Sequence, residues 1–267
     1  MRACGVAAGA KLGKVVFVGA GPGDPELITV RGMKYLQQAD VIIYAGSLVS
    51  PDILKYAKPE VEIYNSATMT TEEIVDVMVR KAMEGKLVVR LKSGDPSIYG
   101  ALWEEMIPLQ RLGIPFEIVP GVTAALAAAA SMKIELTVPK VVQTVVITRA
   151  SARVEMRGDL RTAAKFAREM GAVLAIYTGV HVIDKAVREL TEGGLPPETP
   201  AAVVYKASWP DEKIVVGTLA DIAERVKAEG ITRDAVIVIG EPIRPAEVPR
   251  SAVYDPARSH SYRKART

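Results

Sequence analysis

Val15-Val-Phe-Val-Gly19-Ala-Gly21-Pro22-Gly23-Asp24-Pro25 decides how the rest of the chain is read. Three valines and a phenylalanine run straight into a loop with glycine at every second position. After Pro25 an amphipathic pattern places Leu27, Val30, Met33 and Leu36 at helical spacing. The stretch therefore predicts a strand, a turn and a helix. Its turn leaves the backbone open to another molecule, because glycine has no Cβ to obstruct an approach. It does not fit a dinucleotide fingerprint, which needs G-x-G-x-x-G and an acid about 20 residues on. Here the third glycine comes one residue early, Pro22 sits inside the turn, and the next strand ends in Gly46-Ser47. A phosphate loop would close on Gly-Lys-Ser/Thr, which is also missing.

At 267 residues the chain can form one large or two modest domains, each with a substantial core. Its apolar runs all fall short of the roughly 20 residues of a membrane span, so no membrane association is expected. Residues 1–13 are small and weakly basic, without the apolar centre of a secretory signal, and read as a disordered extension. A cytoplasmic location follows. The single cysteine, Cys4, lies in that extension, so an intrachain disulfide is excluded and a thiol nucleophile is not expected. The two histidines, His181 and His260, have no cysteine or histidine cluster near them, and no metal site is expected. A formal charge of +3 with 5% aromatic residues points away from nucleic acid.

Alternating strand and helix patterns continue to the end of the first half. Strands are predicted at Val41–Ala45, Val61–Tyr64, Lys86–Leu91 and Phe116–Val119, with a short helix over Pro51–Ala57. Thr70-Thr-Glu-Glu73 is a capping box that opens a helix carrying Ile74, Val77 and Met78 on one face and ending at Gly85. A helix from Leu102 is expected to be interrupted by Pro108 and closed at Gly113, and Thr123 is placed to cap the alanine-rich helix Ala124–Met132. This order indicates a largely parallel α/β sheet. The stretch Lys133–Gln143, with Pro139, is read as carrying the chain between domains.

A second α/β series follows. Its strands are Thr144–Thr148, Val173–Tyr177, Ala202–Tyr205 and Ala235–Ile239, and its helices lie near Leu160–Met170, Val182–Thr191 and Leu219–Ala228, the last capped by Thr218 with Asp221. Ile214–Gly217 after Trp209-Pro210-Asp211 reads as the return of a hairpin, so the second sheet is expected to be mixed. The expected organisation is an extension (1–13), an N-terminal α/β domain (14–120), a C-terminal α/β domain including the linker (121–241) and a loose tail (242–267).

Glycine- or proline-bearing turns sit where three first-half strands end, at residues 19–25, 93–100 and 120–124. Ligands of open parallel sheets bind outside the carboxyl ends of the strands. Taken singly, each turn also reads as tight punctuation with Asp24 or Asp95 capping a helix. Together they point to a ligand.

Gly19-Ala-Gly-Pro-Gly-Asp-Pro25, Gly94-Asp-Pro96 and Pro120-Gly-Val-Thr-Ala124 resemble, in order and spacing over residues 14–240, the tetrapyrrole methylase family of S-adenosylmethionine-dependent enzymes. Within it, Tyr44-Ala-Gly-Ser-Leu-Val-Ser50, Gln143–Ala150 and Val204–Lys213 resemble the (cobalt-)precorrin-4 C11-methyltransferases of cobalamin synthesis. The resemblance implies two α/β domains, usually in a homodimer, with the active site in the interdomain cleft and S-adenosyl-L-methionine as cofactor. By position, Pro22, Ser93, Gly94, Asp95, Ile98, Thr123, Ala124, Thr178 and Ala207 would contact that cofactor. Thr178 and Ser93 replace the methionine and glycine of uroporphyrinogen-type relatives, which argues against that subgroup.

Methyl transfer from a sulfonium needs alignment and exclusion of water more than it needs a nucleophilic side chain. A base that takes the ring proton is not named by the sequence; Asp95, Tyr99 and Glu105 are the candidates, each with a blander capping or packing role. A tetrapyrrole rich in carboxylates favours cations on the walls of its site, and Arg90, Lys92, Arg149, Arg153 and Lys206 lie at or beyond predicted strand ends. His181 is read as a helix-start residue, and Trp103 and Trp209 as packing or as flanks of the macrocycle. The alternatives are methylation at another ring carbon, the family branch that methylates a modified histidine on a protein, and a non-catalytic nucleotide-binding α/β module.

Overall fold

The computed structural model describes residues 12–150 and 158–265. Cys4 and the candidate Arg153 lie outside the described residues. The chain divides into two compact units, Met1–Ala124 and Ala125–Thr267. The expected extension does not reach Gly13. Its N–H donates to the Ala82 carbonyl at 2.8 Å, and a Cβ on it would lie 2.6 Å from the Lys86 nitrogen.

The first unit is built from β1 (Lys14–Gly19), α1 (Val30–Gln38), β2 (Val41–Tyr44), β3 (Glu62–Asn65), α2 (Thr71–Met83), β4 (Leu87–Lys92), α3 (Leu102–Arg111) and β5 (Phe116–Val119). Its five strands lie in the order β3-β2-β4-β1-β5, and every pairing is parallel. Alternate residues of β1, β2 and β4 enter two separate cores, as the two-residue period of a strand requires. Val15, Phe17, Val41, Ile43 and Val88 pack with Ile74, Met78, Met106 and Leu109 of α2 and α3. Val16, Val18, Ile42, Val89 and Leu91 pack with Leu36 and Ala39 on the opposite face. Strands buried on both sides read as continuous apolar runs, which is why β1, β2 and β4 are legible as strands.

Local signals set most helix starts. The capping box forms: Thr70 Oγ1 accepts from the Glu73 N–H at 3.3 Å and Glu73 Oε2 accepts from the Thr70 N–H at 2.8 Å. Such a cap stabilises by about 1 kcal/mol. The helix after the opening loop differs from expectation. Leu27 lies in a separate 3-10 turn, Pro25–Leu27, and α1 starts only after Thr29, whose hydroxyl accepts from the Gly32 N–H at 3.1 Å. The buried face is therefore Gly32 and Leu36, with Val30 exposed. Gly32 decides this register, since a Cβ there would lie 2.8 Å from Val18. α3 also differs, because it runs through Pro108 rather than breaking at it. Pro108 forgoes one backbone donor and is carried by the burial of Met106 and Leu109 around it.

The second unit contains α4 (Ala124–Met132, which begins on the last residue of the first unit), β6 (Thr144–Arg149), α5 (Leu160–Met170), β7 (Ala172–Tyr177), α6 (Ile183–Glu192), β8 (Pro200–Tyr205), β9 (Lys213–Thr218), α7 (Ile222–Ala228) and β10 (Ala235–Ile239). The sheet order is β6-β7-β10-β8-β9. β6 and β7 are parallel and the other pairs antiparallel, including the β8–β9 hairpin. Leu160, Leu174, Ile176, Leu190, Val203 and Ile237 centre its core. The irregular stretch 133–143 belongs to this unit, with Leu136, Val138 and Val142 buried, so it is not the passage between units. Thr218 is not the cap of α7. Instead Asp221 Oδ1 accepts from the Thr218 N–H at 2.7 Å while its other oxygen takes Arg225 at 2.7 Å. Residues 244–265 hold no helix or strand. Arg263 ties the segment to itself by donating to the Val253 and Asp255 carbonyls at 2.9 and 2.6 Å. No helix of the described residues is long and apolar enough to cross a membrane.

Candidate functional site

The strand order fixes where a ligand of the first unit belongs. From β1 the chain crosses β4 to reach β2, and from β4 it crosses β1 to reach β5. The two connections leave in opposite directions, with α1 on one face and α3 on the other. The crevice outside the carboxyl ends of β1 and β4 is thus a topological switch point, the usual ligand position in open α/β sheets. The turns after β4, β1 and β5, three adjacent strands, are the turns 93–100, 19–25 and 120–124.

Those turns are locked together by backbone. The Gly94 N–H donates to the Gly21 carbonyl at 2.8 Å and the Gly21 N–H returns a bond to Gly94 at 3.3 Å. A Cβ on Gly19 would lie 2.6 Å from Gly121 Cα and 2.7 Å from the Gly94 carbonyl oxygen. One glycine from each turn therefore meets the other two without side chains, and Gly94 does so at φ +61°. Asp95 completes the lock: Oδ2 accepts from the Gly121 N–H at 2.9 Å and Oδ1 from the Ser97 N–H at 2.8 Å. Both oxygens accept a main-chain N–H, so Asp95 fastens the turns to one another. Around it Ser93, Ile98, Thr123 and Ala124 are half-buried and Pro22 is buried. This leaves small side chains and main chain for a ligand to touch.

The candidate cations of this unit are placed differently from expectation. Arg90 and Lys92 are buried, at 4% and 5% exposure, and both face Glu105 of α3, itself at 2%. Arg90 donates to the Glu105 carboxylate through Nε and Nη2, each at 3.2 Å, and to Ser66 Oγ at 2.9 Å, while Lys92 Nζ is in close contact with Glu105 Oε1. Neither cation is turned toward solvent, and Glu105 is buried as the ion-pair partner of both. Burial, followed by the neighbouring Arg90, draws the Lys92 ammonium below its usual range, against the pull of Glu105. Ser66 in turn donates to the Tyr44 carbonyl at 3.1 Å, so the network reaches the ends of β2 and β3. There Gly46 lies against the Asn65 amide, where a Cβ would come within 2.5 Å of Nδ2. That packing gives the Tyr44–Ser50 stretch a local reason. Tyr99, the remaining candidate base, is half-exposed at φ +52°.

In the second unit β6, β7 and β8 run in the same direction and their carboxyl ends share one edge of the sheet. Non-glycine residues with positive φ collect there: Thr178 (+51°) after β7, Lys206 (+46°) and Ser208 (+70°) after β8, and Asp234 (+54°) just before β10. A β-branched residue at positive φ is an outlier, and such strain clusters at functional sites. Thr178 Oγ1 donates to the Ala150 carbonyl at 3.3 Å. Lys206 lies 5.3 Å from the Tyr205 ring and 5.1 Å from the Trp209 ring, and pairs with Asp211 at 2.7 Å. Ala207 is buried, so its main chain is what it presents. Arg149 ends β6 half-buried, and among the described residues its side chain makes no hydrogen bond or ion pair. His181 is exposed. Sequence reasoning did not single out Gly121 as a packing point, Ser66 as part of the ion network, or Ser208 and Asp234 as strained positions. Only the glycine carried a visible signal.

A family model described as Tetrapyrrole (Corrin/Porphyrin) Methylases matches residues 14–223. The chain is 56% identical over 254 residues to a cobalt-precorrin-4 C(11)-methyltransferase of Methanocaldococcus jannaschii, covering 94% of this chain and 96% of that protein. The solved structure of a cobalt precorrin-4 methyltransferase superposes with a TM-score of 0.82 at 45% identity, covering 87% of this chain and 96% of that one. A uroporphyrin-III C-methyltransferase of Thermus thermophilus, solved in complex with S-adenosylhomocysteine, superposes at 0.72 and 32% identity, covering 87% and 99%.

Proposed function

This chain belongs to the tetrapyrrole methylases, and on that premise we propose that it methylates C11 of precorrin-4, or of its cobalt form, in cobalamin biosynthesis, using S-adenosyl-L-methionine. The observation that carries the reading is the near full-length similarity to cobalt-precorrin-4 C(11)-methyltransferases on a fold whose three glycine turns meet at the switch point. The turns fit the cofactor, because their half-buried small residues offer main-chain donors and acceptors to an adenosine and a zwitterionic amino acid.

When bound, the sulfonium cofactor supplies an electrophilic methyl group: the ring carbon forms the new bond, the sulfur–methyl pair returns to sulfur, and the macrocycle loses a proton. The chain's part is to hold and orient. Pro22, Ser93, Gly94, Ile98, Thr123 and Ala124 are proposed contacts of the cofactor in the first unit, with Asp95 fastening the turns that present them. Thr178 and Ala207 are proposed contacts in the second unit, supported by the strained backbone at and beside them. Arg149 is the proposed anchor for macrocycle carboxylates, supported by its freedom from other partners. Lys206 is a second one, because an exposed pair such as Lys206–Asp211 contributes little and can be exchanged. Positioning alone can supply several powers of ten in rate.

We also read the working form as a homodimer in the cytoplasm. The exposed Trp103 and Ile107 of α3 and Ile118 of the edge strand β5 support a self-association surface, and light scattering of the purified chain tests it. Calorimetry tests the functional reading: S-adenosylhomocysteine binds and NAD does not. NAD binding without S-adenosylhomocysteine binding would overturn it.

A further inference from the structure

The buried cluster behind the 93–98 turn is not balanced in charge. Two cations, Arg90 and Lys92, face one carboxylate, Glu105, and all three are more than nine-tenths buried. Arg90 spreads its donors over Glu105, Ser66 Oγ at 2.9 Å and the Ile43 carbonyl at 3.5 Å. Lys92 has three donors and, among the described residues, its side-chain partner is Glu105. Glu104, the next acid on α3, is exposed and screened by solvent. A buried charge without a counter-charge is costly, and a fold that needed only a core could place an apolar residue at position 92. The excess sits at a particular place. Lys92 ends β4, its carbonyl accepts from the Ala20 N–H at 2.8 Å, and the turn that begins at Ser93 is the one proposed above to wall the cofactor.

Resting on that reading, we propose that the surplus positive charge of the Arg90–Glu105–Lys92 cluster selects against the sulfonium form of the cofactor and in favour of its neutral thioether product. The two forms share the same adenosine and the same zwitterionic amino acid, and differ by one positive charge at sulfur. A fixed cation near the wall raises the energy of the charged form and leaves the neutral form almost untouched. The penalty is relieved as the methyl group departs and the charge at sulfur disappears, so the cluster lowers the barrier to transfer without touching either reactant. It also makes the product the better ligand. Two unit charges about 10 Å apart at an effective dielectric near 20 correspond to a change in affinity on the order of tenfold.

The test is the ratio of two dissociation constants, for S-adenosylmethionine and for S-adenosylhomocysteine, measured by calorimetry on the full chain without the macrocycle. Lys92→Met leaves one cation against one carboxylate, and the ratio is expected to fall about tenfold. Lys92→Arg keeps the charge and the ratio. Glu105→Gln adds to the imbalance and raises the ratio; should that variant fail to fold, the two Lys92 variants still decide. A purely structural cluster would weaken both ligands together and leave the ratio unchanged. An unchanged ratio in Lys92→Met, with S-adenosylhomocysteine still bound, overturns the proposal and leaves the methyltransferase reading standing. Failure of the unaltered protein to bind S-adenosylhomocysteine removes both.

Discussion

Gly121→Ala is the sharpest test of how the three turns are held. The added Cβ would lie 2.8 Å from Gly19 Cα and closer still to the Gly94 carbonyl oxygen, where ordinary contact begins at 3.4 Å. Gly19 must retreat by about 0.6 Å and the Gly94 carbonyl oxygen by more, and neither can do so by turning a side chain, because the contacted atoms are main chain of two other turns. Overpacking of this kind costs typically 1–3 kcal/mol, and a clash with backbone belongs at the upper end, about 3 kcal/mol. Gly94→Ala supplies the control from the same site. Its Cβ would meet nothing nearer than 3.6 Å, so its cost is the strain of φ +61° alone, about 1–2 kcal/mol. Urea denaturation should rank Gly121→Ala as the more destabilised, and calorimetry should show the larger loss of S-adenosylhomocysteine affinity in the same variant. If Gly121→Ala matched the unaltered protein in both measurements, the backbone lock would be refuted. If Gly94→Ala were the worse of the two, strain and not contact would govern the site.

Other outcomes follow from the same contacts. Asp95→Ala strands the Gly121 and Ser97 N–H groups and should weaken S-adenosylhomocysteine by about tenfold or more, whereas Pro22→Ala should cost less; calorimetry gives the order, and the reverse order would show that Pro22 shapes the site more than the fastening does. Arg149→Glu should raise the KM for the macrocycle several-fold while leaving S-adenosylhomocysteine affinity unchanged, and steady-state kinetics with calorimetry separate the two effects. Asp40 accepts from Lys58 Nζ at 2.8 Å and from the Leu87 N–H at 2.9 Å, and these bonds, Lys58 first, hold its carboxyl below the usual 3.8. A depressed folded-state pKa stabilises above the unfolded value and loses that contribution as pH falls through the folded one. Asp40→Ala should therefore cost about 1–2 kcal/mol at neutral pH, and the difference should shrink below pH 4 as the carboxylate of the unaltered protein protonates.

Features written in local pattern were legible in the sequence. The buried strands of the first sheet, the Thr70–Glu73 capping box, the β8–β9 hairpin and the three glycine turns all rest on residues close together in the chain. The misreadings share a different origin. Arg90 and Lys92 stand at a strand end, where a cleft cation would stand, and nothing nearby in the sequence shows that Glu105 arrives from α3 to pair with both. The start of α1 moved because Gly32 must face Val18 across the sheet, a contact between separate elements. Pro108 stays within α3 because tertiary burial outweighs a lost donor. Thr178, Lys206 and Ser208 carry positive φ without being glycine, so composition gives no sign of the strain. Asp95 was singled out as a cofactor contact or base, while its two bonds fasten the turns to one another, a role that depends on Gly121 arriving from another turn.

The central claim is tested most directly by locating the transferred methyl group. Precorrin-4, or its cobalt form, is incubated with the protein and S-adenosylmethionine labelled with carbon-13 in its methyl group, and the product is analysed by mass spectrometry and NMR. A single label on C11 is the predicted result. A label on another ring carbon, or no transfer by protein that binds S-adenosylhomocysteine, would contradict the account.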